Sequence, residues 1–316
     1  MTIALKRLSK WERTLSKCIR CGYCYEHCPI YKATRWEIDA PRGKLSLLYG
    51  LLHDELEPTG YLVNKLFECF HCKRCETACS SGIPLLEVFA DARADLIDAG
   101  FEVSGTLSLT DHDQCVHCLN CVRMCPHEAR SYIHGRVLTD PTKCQSCGSC
   151  LDICSACGIS ITHGFGTNPD EIRAELERFL TSPRAKAVIF SCSWSTYPGF
   201  QTASALDEEN QPETRTFVTA CSGRLREQTV FDALEMGAWG VLVCCCPEDD
   251  CEHGGAARVK KRMRALSAAL EVAGVDPGRV RVAEVKDGDK KTFQSLSTEF
   301  LENLRGLGPI ATGVRS

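Results

Sequence analysis

Apolar residues recur at helical spacing in three stretches of the first hundred residues. Gly43 to Leu56 and Thr59 to Leu66 predict helices, with Pro41 and Pro58 marking boundaries, and Leu85 to Ala99 predicts a third that stops at Gly100. Residues 101–111, rich in Gly, Ser and Thr, read as a linker. Short strand-like pieces follow at Ser131-Tyr132-Ile133 and Arg136-Val137-Leu138. Beyond residue 164 the texture changes to alternating strand and helix. Strands are predicted over Ala185–Cys192, Thr214–Cys221, Gly240–Cys245 and Val280–Val285, and helices over Leu225–Met236, Ala256–Ala273 and Thr292–Leu304. Asn168-Pro169-Asp170-Glu171 opens a further helix, with a cap residue and then proline at the first helical position. This alternation predicts a parallel sheet with helices on its faces. The expected fold class is multidomain, α+β then α/β, in three parts: 1–100, 112–163 and 164–316.

Composition sharpens the picture at one residue type. Hydrophobic residues make up 44% of the 316 positions and charged residues 25%, as in ordinary globular chains, and a net charge of −4 argues against a nucleic-acid partner. No apolar stretch approaches the length of a membrane span, and the opening residues Met1 to Leu8 carry no apolar signal core. The outlier is cysteine, with 23 residues. Their odd number, their clustering and the missing secretion signal favour metal ligands in a reducing compartment over disulfides, so a cytoplasmic location is expected.

Sixteen of them form four runs with one spacing. The runs are Cys18, Cys21, Cys24, Cys28; Cys69, Cys72, Cys75, Cys79; Cys115, Cys118, Cys121, Cys125; and Cys144, Cys147, Cys150, Cys154. Three thiolates three apart wrap one face of a [4Fe–4S] cubane, and the fourth reaches the other cluster of the pair. Zinc uses two well-separated cysteine pairs and has no use for so dense a run. The crossing rule assigns Cys18, Cys21, Cys24 and Cys79 to one cluster, and Cys69, Cys72, Cys75 and Cys28 to its neighbour. It assigns Cys115, Cys118, Cys121 and Cys154 to a third, and Cys144, Cys147, Cys150 and Cys125 to a fourth. Ser80 and Ser155 follow Cys79 and Cys154 where the bacterial ferredoxin run has proline. Cys157 lies near enough to Cys154 to compete with it, although a spare thiol is its simpler reading. His27, His71 and His117 sit among complete runs, as hydrogen bonders or surface residues. Lys73, Arg74 and Arg123 either raise a cluster potential, dock an acidic partner or are solvated charges.

A fifth site is expected in the second half. Cys192, Cys221 and Cys246 end or follow predicted strands, and Cys251 lies five residues past Cys246. Ligands of open parallel sheets bind beyond the carboxyl ends of the strands, so these four thiols should converge. They suit a [2Fe–2S] cluster, and a structural zinc would use the same set. Cys244 and Cys245 continue an apolar strand and read as buried small hydrophobes, with His253 as a substitute ligand.

Three resemblances accompany these patterns. Cys18-Ile19-Arg20-Cys21-Gly22-Tyr23-Cys24, Ala40-Pro41-Arg42-Gly43-Lys44 and Gly82-Ile83-Pro84 make residues 1–100 resemble a helical two-cluster ferredoxin module. That module is shared by the C-type and D-type subunits of heterodisulfide reductase and by glycolate oxidase iron–sulfur subunits. Residues 112–163 resemble a bacterial-type 2[4Fe–4S] ferredoxin. The last part resembles the delta subunit of methyl-viologen-reducing hydrogenase. That likeness rests on Cys192-Ser193-Trp194, Cys221-Ser222-Gly223-Arg224, Gly240-Val241-Leu242-Val243 and Cys246-Pro247-Glu248-Asp249-Asp250-Cys251. It implies a [2Fe–2S] cluster on Cys192, Cys221, Cys246 and Cys251. Ser191 and Ser195 stand where that family often has cysteine, and Glu252-His253-Gly254-Gly255 is shorter than its usual form.

Four [4Fe–4S] clusters and one [2Fe–2S] cluster on one chain imply an electron wire. Neither a dinucleotide nor a phosphate-loop motif is present, and no nucleophile or paired-carboxylate arrangement stands out. The resemblances imply an electron-transfer subunit of an anaerobic heterodisulfide reductase-like complex. It would pass electrons between a flavin-bearing protein similar to the A-type subunit of heterodisulfide reductase and a catalytic or quinone-linked subunit. Two rivals stand beside this: a catalytic subunit reducing a disulfide or thioester near the Cys244–Cys246 triplet, and a zinc-stabilised scaffold.

Overall fold

The computed structural model of the chain describes residues 4–69, 71–102, 107–161, 169–184, 186–192, 213–219, 221–251, 253–286 and 288–310. The chain divides into two compact units, 1–165 and 166–316.

In the first unit the three expected helices form at Pro41–Leu52, Gly60–Phe67 and Leu85–Asp98. Pro41 takes the first helical position, where its missing N–H costs nothing. This helix stops four residues short of the expected end at Leu56, and the backbone folds back so that Glu55 and Leu56 both donate to the Gly50 carbonyl. Gly43 has to be glycine, because a Cβ there would lie 1.9 Å from the Glu37 carbonyl oxygen. Thr59 caps the second helix by accepting from the Leu62 N–H at 3.3 Å. Leu45, Leu48, Leu62, Leu66, Phe89 and Leu96 line one core, at the spacing that puts them on facing stripes.

Short helices and four short strands make up the rest of this unit. Arg130–Ile133 (β2) and Arg136–Thr139 (β3) form the expected hairpin, turning at His134 and Gly135 with φ of 49° and 78°. Two positive φ values are what a two-residue hairpin turn of matching twist requires. The reading of 101–111 as linker is corrected in part. Ser108–Thr110 (β1) pairs antiparallel with Ile159–Ile161 (β4). Three strand residues among Ser and Thr leave too short a pattern to register as a strand, and the pairing is supplied from fifty residues away. Residues 103–106 lie outside the described residues.

A four-stranded parallel sheet organises the second unit. Its strands are Ala187–Cys192 (β5), Thr214–Thr219 (β6), Gly240–Cys245 (β7) and Val280–Glu284 (β8), in the order β6-β5-β7-β8. β5 and β7 are buried along their whole length, as a sheet covered on both faces demands. Val188, Phe190, Val241 and Val243 face a core with Leu176, Val230, Val259 and Met263. These belong to the helices Pro169–Leu180, Glu227–Glu235 and Gly255–Val272. Ile189, Leu242 and Cys244 face the other way, against Phe293, Phe300 and Leu304 of Lys290–Leu307. The expected cap residue Asn168 lies outside the described residues.

Candidate metal centres

All four cysteine runs adopt one backbone conformation. The residue before the second cysteine and the residue after it have positive φ in every case: Arg20 and Gly22 (57° and 83°), His71 and Lys73 (53° and 61°), His117 and Leu119 (53° and 59°), Ser146 and Gly148 (51° and 82°). A short helix then begins and carries the third cysteine as its second residue, at Tyr23–His27, Arg74–Thr77, Asn120–Arg123 and Ser149–Asp152. Only two of these eight residues are glycine. The left-handed conformation costs an ordinary residue about 1–2 kcal/mol, so strain repeated at six equivalent positions must be offset by something the runs share. Alternating left- and right-handed residues turn successive N–H groups to one side, a concavity suited to an anion. The conformation therefore fits a thiolate-held cluster.

Two of these concavities open into cavities of about 360 Å³ each, measured out to the solvent. One is lined by Cys18, Cys21, Cys24 and Cys79, together with Arg42 and Ile83. The other is lined by Cys115, Cys118, Cys121 and Cys154, together with His117 and Val137. In each, one cysteine, Cys79 or Cys154, comes from the other run of the pair. Cys79 accepts from the Ile83 N–H at 3.5 Å, and Cys21 lies 3.6 Å from the Ser80 hydroxyl. Cys157 is exposed, at φ 54°, and is not among the described residues lining the second cavity.

In the second set Cys28 and Cys75 are buried and Cys69 and Cys72 half-buried. Burial pushes the Cys28 thiol up to about 12, with Cys72 and Cys69 as its electrostatic neighbours. Burial likewise raises Cys72 to about 11, while Arg74 pulls it back down. Cys75 is raised well above its ordinary value by burial and feels Cys69, Cys72 and Cys28. Cys28 thus has the Cys69–Cys75 run as its electrostatic surroundings. In the fourth set burial raises Cys150 to about 11, against the Ser108 hydroxyl 3.1 Å away. Cys147 goes the other way: burial raises it, but hydrogen bonds from His127 and Ser149 outweigh that and bring it to about 7. Cys125 accepts from the Ala129 N–H at 3.3 Å.

Sequence reasoning missed the residues that hold this last set. Arg130 is buried and donates to the hydroxyls of Ser108 and Thr110, and the Thr139 hydroxyl donates to the Ser108 carbonyl at 2.6 Å. His127 stands outside the pattern that singles out the histidines within the runs. Neither residue carries a local signal, because each acts on a cysteine about twenty residues away.

The thiols of the second unit gather where the strand order reverses. β5 is flanked by β6 on one side and β7 on the other, so a crevice opens between the carboxyl ends of β5 and β7. Cys192 ends β5 and Cys246 follows β7, on its two walls. Hydrogen bonds from Cys246 to Cys192 and Cys251 push the Cys246 thiol up, and the same bond brings Cys251 down. Burial raises Cys221, with Cys192 and Cys251 as neighbours. Cys251 sits at the start of the helix Gly255–Val272 and accepts from the Ala256 N–H at 3.3 Å. Gly255 makes the approach possible, since a Cβ there would lie 2.5 Å from the Cys221 sulfur. Cys244 is buried on the opposite sheet face, and Cys245 on the near one. Among the described residues, no group of three or more His, Cys, Asp or Glu side chains is set as ligands of a single metal ion.

Known proteins share these parts. Residues 14–83 and 108–155 each match a 4Fe–4S dicluster domain, and residues 187–308 match the methyl-viologen-reducing hydrogenase delta subunit. The chain is 32% identical to the iron–sulfur D-type subunit of the F420-non-reducing hydrogenase of Archaeoglobus profundus over 123 residues, 39% of this chain and 90% of that one. The chain belongs to the methyl-viologen-reducing hydrogenase delta-subunit family. The delta-subunit match covers the parallel sheet and all four of its gathered cysteines. A longer likeness, 30% over 243 residues, is to the A-type subunit of the ferredoxin:CoB–CoM heterodisulfide reductase of Methanosarcina mazei, covering 76% of this chain and 29% of that one. The Escherichia coli glycolate oxidase iron–sulfur subunit is 38% identical over 72 residues, 23% of this chain and 17% of that one. The chain thus spans less than a third of the heterodisulfide reductase subunits it matches. Ahead of its delta-subunit part stand two 4Fe–4S dicluster domains, which make it an iron–sulfur chain.

Proposed function

We propose that this chain is an electron wire: an iron–sulfur electron-transfer subunit of a heterodisulfide reductase-like oxidoreductase complex in the cytoplasm. The observation that carries the reading is the pair of cavities, each lined by three cysteines of one run and the fourth of its partner run. The proposed ligand sets follow the crossing assignment for four [4Fe–4S] clusters. Cys192, Cys221, Cys246 and Cys251 are proposed to hold a [2Fe–2S] cluster, which is supported by their convergence at the sheet crevice. The proposed organisation is a helical two-cluster module (1–100), a bacterial-type ferredoxin (112–163) and the delta-subunit part (164–316).

When bound, such clusters supply one-electron carriers. The chain's own residues hold the thiols, screen the inner sets from water and set their charge environment. The likeness to the A-type subunit of heterodisulfide reductase supports a flavin-bearing partner of that kind at the delta-subunit end, with a catalytic or quinone-linked subunit beyond the helical module. The catalytic rival loses its main support, because Cys244 lies on the sheet face away from Cys246.

The test is anaerobic purification followed by iron and sulfide analysis and EPR through a reductive titration. About 18 irons per chain, as four cubanes and a two-iron centre (4 × 4 + 2), are expected. The two-iron signal should be lost in Cys246→Ser. About 16 irons without that signal would leave the delta-subunit part free of any cluster and end the wire at the ferredoxin modules.

A further inference from the structure

The strand β1 does more than complete a small sheet. Its Ser108 and, from β2, Arg130 are 2% and 4% exposed. The Arg130 guanidinium donates to two hydroxyls, that of Ser108 through Nη1 and that of Thr110 through Nη2. Among the described residues its Nε has no acceptor and no carboxylate pairs with it. An arginine cannot shed its proton, and two neutral hydroxyls do not balance a buried positive charge. Negative charge must therefore stand beyond one of them. The Ser108 Oγ lies 3.1 Å from the sulfur of Cys150, itself buried. That hydroxyl oxygen already accepts from Arg130, so its single proton is left for the sulfur once Cys150 is a thiolate. The backbone of Ser108 is fixed as well, by pairing with Ile161 across the sheet and by the Thr139 hydroxyl on its carbonyl at 2.6 Å.

A cluster held by thiolates becomes more negative on reduction. A hydrogen bond to one of its sulfurs therefore favours the reduced form and raises its potential. A charged donor behind the hydroxyl polarises it and strengthens that bond. We propose that Ser108 donates a hydrogen bond to the Cys150 sulfur of the fourth cluster, with Arg130 as its positioning residue, and that the two together raise the potential of that cluster. Thr110 anchors the second arm of the guanidinium fork, which keeps Nη1 on Ser108. The inference rests on the cluster reading above and goes beyond it, by assigning two residues outside the cysteine runs that set the potential of one centre.

The experiment is a redox titration of the anaerobically purified full chain, followed by EPR, with iron and sulfide counted on the same samples. Cys150→Ser marks the fourth cluster, as the cubane whose signal it alters or removes. Ser108→Ala should lower the potential of that cubane alone, by a tenfold weaker reduction, about 59 mV for one electron. Ser108→Thr keeps the hydroxyl and should stay near the native potential. Arg130→Gln should lower the same centre, and by less once Ser108 is already alanine, because the two act through one contact. If Ser108→Ala at full iron leaves that cubane in place, or shifts a different one, the proposal is overturned. A Ser108→Thr chain that falls as far as Ser108→Ala overturns it equally. Equal shifts from Arg130→Gln in the two backgrounds overturn the part given to Arg130. If Arg130→Gln loses iron, Arg130→Lys at full iron takes its place in the same comparison. A native chain without cubane iron would sink the cluster reading itself, which separates the two failures.

Discussion

Left-handed residues inside the cysteine runs carry a testable strain. Leu119 holds φ 59° between Cys118 and Cys121. Glycine accepts this conformation freely, whereas a β-branched side chain resists it most. Leu119→Gly should keep the third cluster and stabilise the chain by about 1 kcal/mol. Leu119→Ile should cost that cluster's four irons, read by iron analysis. Gly255 offers a sharper case, because an added Cβ would meet both the Cys221 sulfur at 2.5 Å and the Gly223 nitrogen at 2.9 Å. Both obstacles are fixed, so Gly255→Ala should abolish the two-iron EPR signal while cubane iron is retained. The cysteines themselves were legible, since their spacing is a local property. Gly255 stands out in the sequence only as part of a shortened loop, because the sulfur it accommodates lies 34 residues earlier.

Among the elements, the start of the chain is tied to the helix Leu85–Asp98 by one buried carboxylate. Asp95 accepts from the backbone N–H groups of Arg7 and Leu8, at 2.8 and 2.9 Å, and pairs with the Arg7 guanidinium at 3.0 Å. These N–H groups open a four-residue helix that has no cap of its own. Asp95→Ala would strand them, and a loss of about 2–3 kcal/mol is expected for hydrogen bonds to a charged group. Thermal unfolding of the first unit checks this, with the sheet unit as internal reference. The short strand β1 makes the complementary point. Its Ser108 meets Cys150, Arg130 and Thr139 at once, yet three residues of Ser, Leu and Thr are too few to show periodicity. Helices of twelve or more residues declared themselves. Elements of three did not.

For the molecule as a whole, the two units differ in what stabilises them. The sheet has extensive apolar cores on both faces, built from its own side chains. Around the strands β1–β4 the buried core is Cys121, Val137, Cys150 and Ile159, so half of it is cysteine. So small a core rarely holds a fold alone, and cluster binding must contribute its folding free energy. Removal of iron with a chelator should therefore abolish amide protection at 130–139 and leave 187–192 and 240–245 protected. Hydrogen exchange before and after chelation measures this, and equal retention in both regions would refute it.

The sequence by itself determined the four runs, the parallel sheet and the set of thiols that meet at its edge. Each depends on spacing or on a period of two or 3.6 residues, and such patterns are written locally. Only the tertiary structure decided that β1 pairs with β4, that Cys244 turns away from Cys246, and that Arg93 is buried against the carbonyls of Leu66 and Cys69. Those facts depend on which side a chain returns to after many residues. Charge placed by packing leaves no trace in neighbouring sequence, so an arginine at a fully buried helix position looks there like any other surface residue.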